Sequence, residues 1–121
     1  MSRQILDESR IHPAIRDQVA SLNADIVKEV QDAVAANAVV VVGMRQNPMP
    51  RYARRVLDND RIPYKYLEYG SYLTQWRRRN ALKMWTGWPT FPMVFVKGVL
   101  VGGAADLARL HASGELKKML A

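Results

Sequence analysis

The segment that most constrains the fold is Trp88–Asp106, with the sequence WPTFPMVFVKGVLVGGAAD. Within it, Met93–Val96 is almost wholly apolar, which is typical of a strand covered on both faces. Lys97-Gly98 separates this run from Val99–Val101, a spacing that predicts a two-residue β-hairpin. Gly102-Gly103 then allows a sharp backbone turn into a helix. Two strands and the start of a helix are therefore predicted from nineteen consecutive residues.

Phe91-Pro92 opens the first of these two strands. Proline is tolerated only at a strand start or edge, because it cannot donate to the ladder. An X-Pro bond is also a candidate for the cis isomer. The local pattern alone leaves trans as the default.

Composition fits one folded domain. The chain has 121 residues, of which 49% are hydrophobic and 24% charged, values that are ordinary for a globular protein. No apolar run approaches the length of a membrane helix, and the N-terminal residues lack the basic-then-apolar order of a signal peptide, so we expect a cytoplasmic location without a membrane. The net charge of +7 permits anionic partners but does not select among them.

The chain contains no cysteine. This excludes disulfides, thiolate nucleophiles and any cysteine-ligated metal or iron–sulfur cluster supplied by this chain alone.

The first 37 residues predict an arm and two helices. Residues 1–10 are polar and unpatterned, as expected of an arm. Pro13 suits the first turn of one helix, and Asn23 can cap a second. Each helix has an apolar stripe, which usually covers its own domain, although the pair could be an interaction arm. The stripes consist of Ile15, Val19 and Leu22, followed by Ile26, Val27, Val30 and Val34.

Residues 38–121 predict one α/β domain. Ala38–Val42 is an unbroken apolar run and is predicted to be a buried, central strand. A second strand is predicted around Tyr64–Leu67, and a more polar helix over Tyr72–Trp85. With the hairpin and its closing helices, this order predicts a small mixed sheet of four strands with helices on both faces.

The helix after the first strand has a clear start and a clear stripe. Asn47 is placed to cap it, with Pro48 at the first helical position. Five apolar residues follow at helical spacing, which predicts a buried face with arginines on the opposite side. The apolar set is Met49, Tyr52, Ala53, Val56 and Leu57, and the basic set is Arg51, Arg54 and Arg55.

Four motifs resemble the glutaredoxin family, a branch of the thioredoxin fold. They are Trp88–Pro92, Val94–Gly98, Val101–Gly103 and Leu110–Leu116, in the family's order and spacing. The form Trp-Pro-Thr-Phe-Pro is closest to the monothiol, CGFS-type branch. The resemblance covers about residues 38–120. It implies a thioredoxin-like sandwich and makes Phe91-Pro92 an expected cis bond.

The resemblance fails at the active site. In dithiol members a CPYC-type motif opens the first core helix, and without gaps Asn47–Pro50 takes its place. Asn47 then stands at the position of the nucleophilic cysteine and Pro50 at that of the resolving one. A second register lays Pro50–Ala53 over CGFS but needs a later deletion. In both registers the resemblance implies no thiol–disulfide exchange and no cysteine ligand for a glutathione-bridged iron–sulfur cluster.

The resemblance also implies a groove for glutathione. In the family, its backbone pairs with the residue before the cis proline, here Phe91, and its γ-glutamyl end is held by the turn at Ala104-Ala105. The lysine that usually meets the glycyl carboxylate of glutathione is replaced by Met44, with Arg45 next to it. The acidic residue usual in the family at the position of Ala105 is absent. The candidate ligand-binding residues are Arg45, Asn47, Arg79, Thr90, Phe91, Pro92, Gly103, Ala104 and Ala105. No catalytic residue and no metal ligand is predicted.

Other functions have weaker signals. Arg77–Arg79, near Trp76 and Trp85, could form a basic aromatic surface for nucleic acid, and Arg51, Arg54 and Arg55 could extend it. Charge runs on helices, however, are usually solvated faces. His12 and His111 are far apart and have no motif around them, so neither a metal site nor an acid–base pair is predicted.

The sequence therefore predicts a cysteine-less, redox-inactive glutaredoxin-like protein that binds glutathione-like γ-glutamyl peptides or a protein partner. One alternative is a glutaredoxin-type electron-transfer role that relies on a partner's thiol. A second alternative is a basic nucleic-acid-binding module.

Overall fold

The computed structural model describes residues 3–121, so residues 1–2 of the predicted arm lie outside the described part of the chain. The predicted α/β architecture is confirmed. A 3₁₀ turn at Glu8–Arg10 precedes the regular elements. These are α1 (Pro13–Ser21), α2 (Ala24–Ala36), β1 (Val39–Gly43), α3 (Pro48–Asn59), β2 (Lys65–Glu68), α4 (Trp76–Thr86), β3 (Met93–Val96), β4 (Val99–Gly102), α5 (Ala104–Ala112) and α6 (Glu115–Leu120).

The four strands form one mixed sheet in the order β2-β1-β3-β4. β1 runs parallel to β2 and antiparallel to β3, and β3 pairs antiparallel with β4. The hairpin turn has positive φ at both central residues, 51° at Lys97 and 81° at Gly98, as a type I′ turn requires. The predicted central position of the first strand and the predicted hairpin are both confirmed.

The sheet separates two hydrophobic clusters, because successive side chains of a strand point to opposite faces. Val40 and Val42 of β1 face the cluster that includes α2 and α4, whereas Val39 and Val41 face the cluster that includes α3, α5 and α6. All four valines are almost completely buried. This explains why β1 is apolar at every position and shows no alternation in its sequence.

The two N-terminal helices differ in how they meet this core. The α2 residues Ile26 and Val30 are buried in the same cluster as β1, as the stripe predicted. The α1 stripe does not cover the domain, since Ile15, Val19 and Leu22 are all exposed. That part of the prediction is wrong. The division of the chain at residue 37 stays a prediction, although α2 packs directly on the sheet.

Two predicted helix starts are also corrected. Asn23 has left-handed backbone angles, unlike the extended angles of a typical N-cap, and makes no side-chain cap to α2. Its Nδ2 lies 3.5 Å from the Arg77 carbonyl oxygen. The helix predicted from Tyr72 begins at Trp76. The Thr74 hydroxyl accepts a bond of 2.9 Å from the Ser71 N–H and forms a turn where helix was expected.

The buried stripe of α3 is displaced from the predicted one. Pro50, Ala53 and Leu57 are buried, whereas Met49 and Tyr52 are exposed. Pro50 is drawn inward because β1 ends at Gly43, where an added Cβ would lie 2.8 Å from the Pro50 Cβ. None of the helices between residues 3 and 121 combines the length and apolar character needed to cross a membrane.

Candidate functional site

The start of α3 is built around Asn47. Its side-chain Oδ1 accepts a hydrogen bond of 2.9 Å from the Met49 N–H, so the predicted cap is confirmed. Pro48 and Pro50, the residues on either side of Met49, have no N–H. Among positions 48–50, Met49 therefore has the one backbone N–H, and this N–H is already bonded to Asn47. This helix start has lost most of the donors that usually attract an anion or a thiolate.

The groove lies between the start of α3, the Phe91-Pro92 segment and the start of α5. Asn47, in the first of these walls, also bonds to the second. Its Nδ2 donates to the Phe91 carbonyl oxygen at 3.2 Å, across 44 positions of sequence. The Phe91-Pro92 bond is cis, as expected, and the Phe91 side chain is buried. Within residues 3–121 the Phe91 N–H has no acceptor. The Phe91 carbonyl oxygen keeps a second lone pair, so the backbone of Phe91 can still pair with an extended ligand.

The third wall is the start of α5. The Gly103 N–H donates to Asp106 Oδ2 at 2.9 Å, and Arg109 bonds the other carboxylate oxygen. The Gly103 N–H, with help from Arg109, holds the pKa of the Asp106 carboxyl below its usual value. The N–H groups of Ala104 and Ala105 belong to the first turn and have no partner inside the helix.

The three walls meet around Pro92. A Cβ added to Gly103 would lie 3.6 Å from the Pro92 carbonyl oxygen and 3.7 Å from Trp88 Nε1. That indole nitrogen is buried and has no hydrogen-bond partner within residues 3–121. Sequence reasoning placed Trp88 in a motif but gave it no role. In the sequence, Trp88 is recognisable as a tryptophan followed by a proline, and this pattern does not show where the ring nitrogen points.

The basic candidates are less close to these walls. Arg79 is only 6% exposed, and its Nη1 donates to the carbonyl oxygens of Tyr69 at 2.9 Å and Thr74 at 2.5 Å. Burial lowers the pKa of the Arg79 guanidinium. Arg45 is exposed and lies 3.9 Å from Glu68. Contact of either arginine with a ligand stays a prediction.

Lys83 is a cation near the groove that the sequence did not predict. The Lys83 ammonium lies 5.8 Å from the centroid of the Phe91 ring, within the range of a cation–π contact. Lys83 lies in α4, one helical turn after Arg79. The sequence predicted Arg79, but not Lys83, as a ligand-binding residue. The structure therefore brings together Asn47, Phe91, Pro92 and Gly103 and adds Lys83.

The basic aromatic surface that α4 offered as an alternative is not continuous. Arg79 lies inside, and Arg78 pairs with Asp25 at 3.0 Å, so Arg77–Arg79 do not present one face. Trp76 is exposed, but Trp85 packs against the core and stacks on Phe95. In residues 3–121 no group of three acidic, histidine or cysteine residues is placed to hold a metal ion.

The chemistry of the groove follows from its atoms. Asn47 cannot be deprotonated to a nucleophile and Pro50 has no reactive group, so neither residue can form a disulfide. What remains is a set of backbone donors and acceptors around a buried proline. Such a set can bind an extended chain but offers no sulfur to exchange.

A family model and several relatives match this chain. The glutaredoxin family model matches residues 39–101. A glutaredoxin-like protein from Dictyostelium discoideum is 41% identical over 102 residues, or 84% of this chain and 83% of that protein. A mitochondrial glutaredoxin-2 from Rattus norvegicus is 33% identical over 74% of this chain and 57% of its own length. This chain thus spans little more than half of that relative.

Solved structures agree with the sequence relatives. Oxidized glutaredoxin 2 from Chlamydomonas reinhardtii superposes with a TM-score of 0.70 at 30% identity, covering 81% of this chain and 92% of that one. A buckwheat glutaredoxin–glutathione complex gives a TM-score of 0.71 at 26% identity, covering 83% and 91%. The relatives include proteins named glutaredoxin-2 and proteins named monothiol glutaredoxins. From its motifs, its fold and these relatives, the chain belongs to the glutaredoxin family.

Proposed function

We propose that this protein works by binding and not by thiol–disulfide exchange. Its site is the groove between the start of α3, Phe91-Pro92 and the start of α5. The observation that carries the proposal is the contact between Asn47 and the Phe91 carbonyl. In the register without gaps, an amide takes the place of the family's reactive sulfur. This amide joins two walls of the groove.

The proposed ligand is a glutathione-like γ-glutamyl peptide or an extended segment of a protein partner. The Phe91 N–H can donate to a ligand carbonyl, and the N–H groups at the start of α5 can receive a carboxylate. The buckwheat relative, solved as a glutathione complex, supports the small-molecule form. With no cysteine in the chain, we propose that it brings no thiolate ligand to an iron–sulfur cluster.

Binding is tested by titrating the isotope-labelled protein with reduced glutathione and with S-methylglutathione, followed by amide NMR shifts. We expect both ligands to shift Phe91, Ala104 and Ala105 with similar affinity, because no protein sulfur takes part. An absence of shifts at millimolar ligand would overturn the small-molecule form. A clear preference for the free thiol would contradict the binding mode.

A matched pair of variants locates the γ-glutamyl end. Ala105→Asp supplies the acidic residue that other family members have there, and we expect it to tighten glutathione binding. Ala112→Asp adds the same charge at the other end of α5 and should leave affinity unchanged. Equal effects would show that net charge, and not the groove, determines binding.

The absence of exchange chemistry is tested separately with a glutathione-linked disulfide reduction assay on purified protein. We expect turnover equal to the blank. Turnover above the blank would overturn this proposal in favour of a redox role through another thiol.

We also propose a cytoplasmic location for this protein, although its relatives include mitochondrial and chloroplastic proteins.

A further inference from the structure

The outer side of α3 exposes two large hydrophobic side chains. Met49 is 42% exposed and Tyr52 is 43% exposed, one helical turn apart. They face outward because Pro50, Ala53 and Leu57 occupy the buried side of the helix. Single exposed apolar residues are ordinary on a protein surface, but two neighbours beside a cleft are a more specific feature.

Two arginines flank this pair. Arg51 and Arg55 are exposed, and neither forms an ion pair within residues 3–121. Arg54, by contrast, packs 4.2 Å over the Tyr66 ring. A shallow cleft of about 400 Å³ is lined by Pro48 and by these exposed residues. We call Met49, Arg51, Tyr52 and Arg55 the α3 outer face.

We infer that the α3 outer face docks an acidic segment of a partner protein that carries apolar side chains. The charge argument is direct, since the first turn of α3 has no acidic residue and both arginines are unpaired within the described residues. Methionine, tyrosine and arginine are the residue types enriched in protein interfaces. The flexible Met49 side chain can adapt to apolar side chains of different shape.

A nucleic acid fits this surface less well. Binding along a phosphate backbone needs a track of several cations, with aromatic rings on which bases stack. The α3 outer face supplies two arginines, and the arginines of α4 do not extend it, because α3 and α4 pack on opposite faces of the sheet. The observations therefore favour a protein segment.

The test titrates the labelled 121-residue chain with a blocked peptide of sequence ELEFEE at low salt. We expect amide shifts at the four residues of the α3 outer face and an affinity that falls as salt rises. The neutral peptide QLQFQQ should bind at least about tenfold more weakly, because it lacks the charges. Shifts that map elsewhere, or no shifts at all, would overturn the inference.

Charge reversal gives a second readout. Arg51→Glu/Arg55→Glu should weaken binding of ELEFEE by about tenfold or more. Lys117→Glu/Lys118→Glu makes the same change in net charge on exposed residues of α6 and should leave the affinity nearly unchanged. Well-dispersed NMR spectra of both double variants establish that they are folded. Equal loss in the two variants would contradict a local site.

Competing occupants give different results. A short oligo(dT) that shifts the α3 outer face at lower concentration than ELEFEE would replace the inference with nucleic-acid binding. A concentration-dependent dimer that protects the same residues would replace it with self-association. Failure of the glutathione proposal is separate, because it is read at Phe91, Ala104 and Ala105.

Discussion

Asn47 and Phe91 are 44 positions apart in sequence and joined by one hydrogen bond, from Asn47 Nδ2 to the Phe91 carbonyl oxygen at 3.2 Å. The same side chain caps α3 by accepting from the Met49 N–H at 2.9 Å. One amide thus fastens the start of a helix to the residue that opens β3. A carboxylate or a thiolate could accept from Met49, but neither could donate to the Phe91 carbonyl.

The two bonds of Asn47 can be measured separately. Asn47→Ser keeps a capping oxygen but is too short to bridge to Phe91, whereas Asn47→Ala loses both bonds. We expect the free energy of unfolding to fall by about 1 kcal/mol for the serine variant and by about 2 kcal/mol for the alanine variant. Urea unfolding gives both values. A serine variant as stable as the parent would show that the bond to Phe91 contributes nothing.

A cysteine placed at position 47 should be an ordinary thiol. Asn47→Cys would meet only one N–H in the first turn of α3, that of Met49, because Pro48 and Pro50 have none. Reactive cysteines reach pKa values of roughly 3.5–7.5 when donors and cations surround them, against about 8.5 for a free thiol. We expect a pKa above that reactive range, measured by thiolate absorbance against pH in a chain with no other cysteine.

Restoring a donor should change this result. Asn47→Cys combined with Pro50→Ala supplies a second N–H in the first turn, so the pKa of the cysteine should fall relative to the single variant. If the single variant already titrates in the reactive range, the neighbouring arginines would be its cause and the count of N–H donors would not matter.

The contact between β1 and α3 leaves no room for a methyl group. In Gly43→Ala the new Cβ would lie 2.8 Å from the Pro50 Cβ and 3.0 Å from the Tyr66 ring. We expect a loss of about 1–3 kcal/mol in the free energy of unfolding from this overpacking. The control is Gly103→Ser, whose Cβ has ordinary contacts and whose hydroxyl suits a helix cap. Similar losses in both, by thermal unfolding, would contradict the packing argument.

The two N-terminal helices should respond differently to truncated side chains. Ile26 of α2 is 0% exposed and Ile15 of α1 is 46% exposed. Ile26→Ala should cost about 2–5 kcal/mol of stability, because it leaves a cavity in the core. Ile15→Ala should change stability by less than about 0.5 kcal/mol. Chemical denaturation of both variants gives these free energies of unfolding. A small effect of Ile26→Ala would show that α2 does not belong to the cooperative core.

Asp106 should make stability depend on acid pH. Its pKa is lowered chiefly by the Gly103 N–H, so its stabilising contribution is complete above the unfolded value of about 3.9 and is lost as pH falls through the lower folded pKa. Asp106→Asn keeps an acceptor for Gly103 but removes the charge. We expect a deficit of less than about 1 kcal/mol at neutral pH, because the side chain is partly solvated.

The deficit should shrink as pH falls from about 4 through the lower folded pKa, because the carboxyl is protonated first in the unfolded chain and then in the folded one. Unfolding midpoints of the two proteins across this pH interval provide the measurement. Asp17→Asn, on the exposed part of α1, is the control and should follow the parent. A deficit that stays constant at low pH would show that the charge is not its cause.

The architecture was predictable because its signals are local. The run Val39–Val42 is apolar at every position, Lys97-Gly98 suits a two-residue turn, and Asn47-Pro48 is a helix start. The motifs from Trp88 onward place the chain in its family without any coordinates. Each of these features depends on neighbouring residues, whose preferences act before the chain is packed.

The orientation of side chains was less predictable. Met49 and Tyr52 fit a helical stripe as well as Pro50 does, yet packing against Gly43 turned Pro50 inward. Arg79 carries a charge, but the carbonyl oxygens of Tyr69 and Thr74 allow it to be buried. Both outcomes depend on which surfaces meet, which periodicity does not reveal.

From the sequence alone it was clear that the chain has no thiol and resembles the glutaredoxins, and the hairpin of its sheet was predicted. That Asn47 and Pro50 stand at the family's cysteine positions stays a prediction. The bond from Asn47 to Phe91, and the fact that α2 but not the α1 stripe covers the core, became visible in the folded chain. The reason is physical. Residue types are local properties, whereas a bond across 44 positions exists only once the fold brings its two ends together.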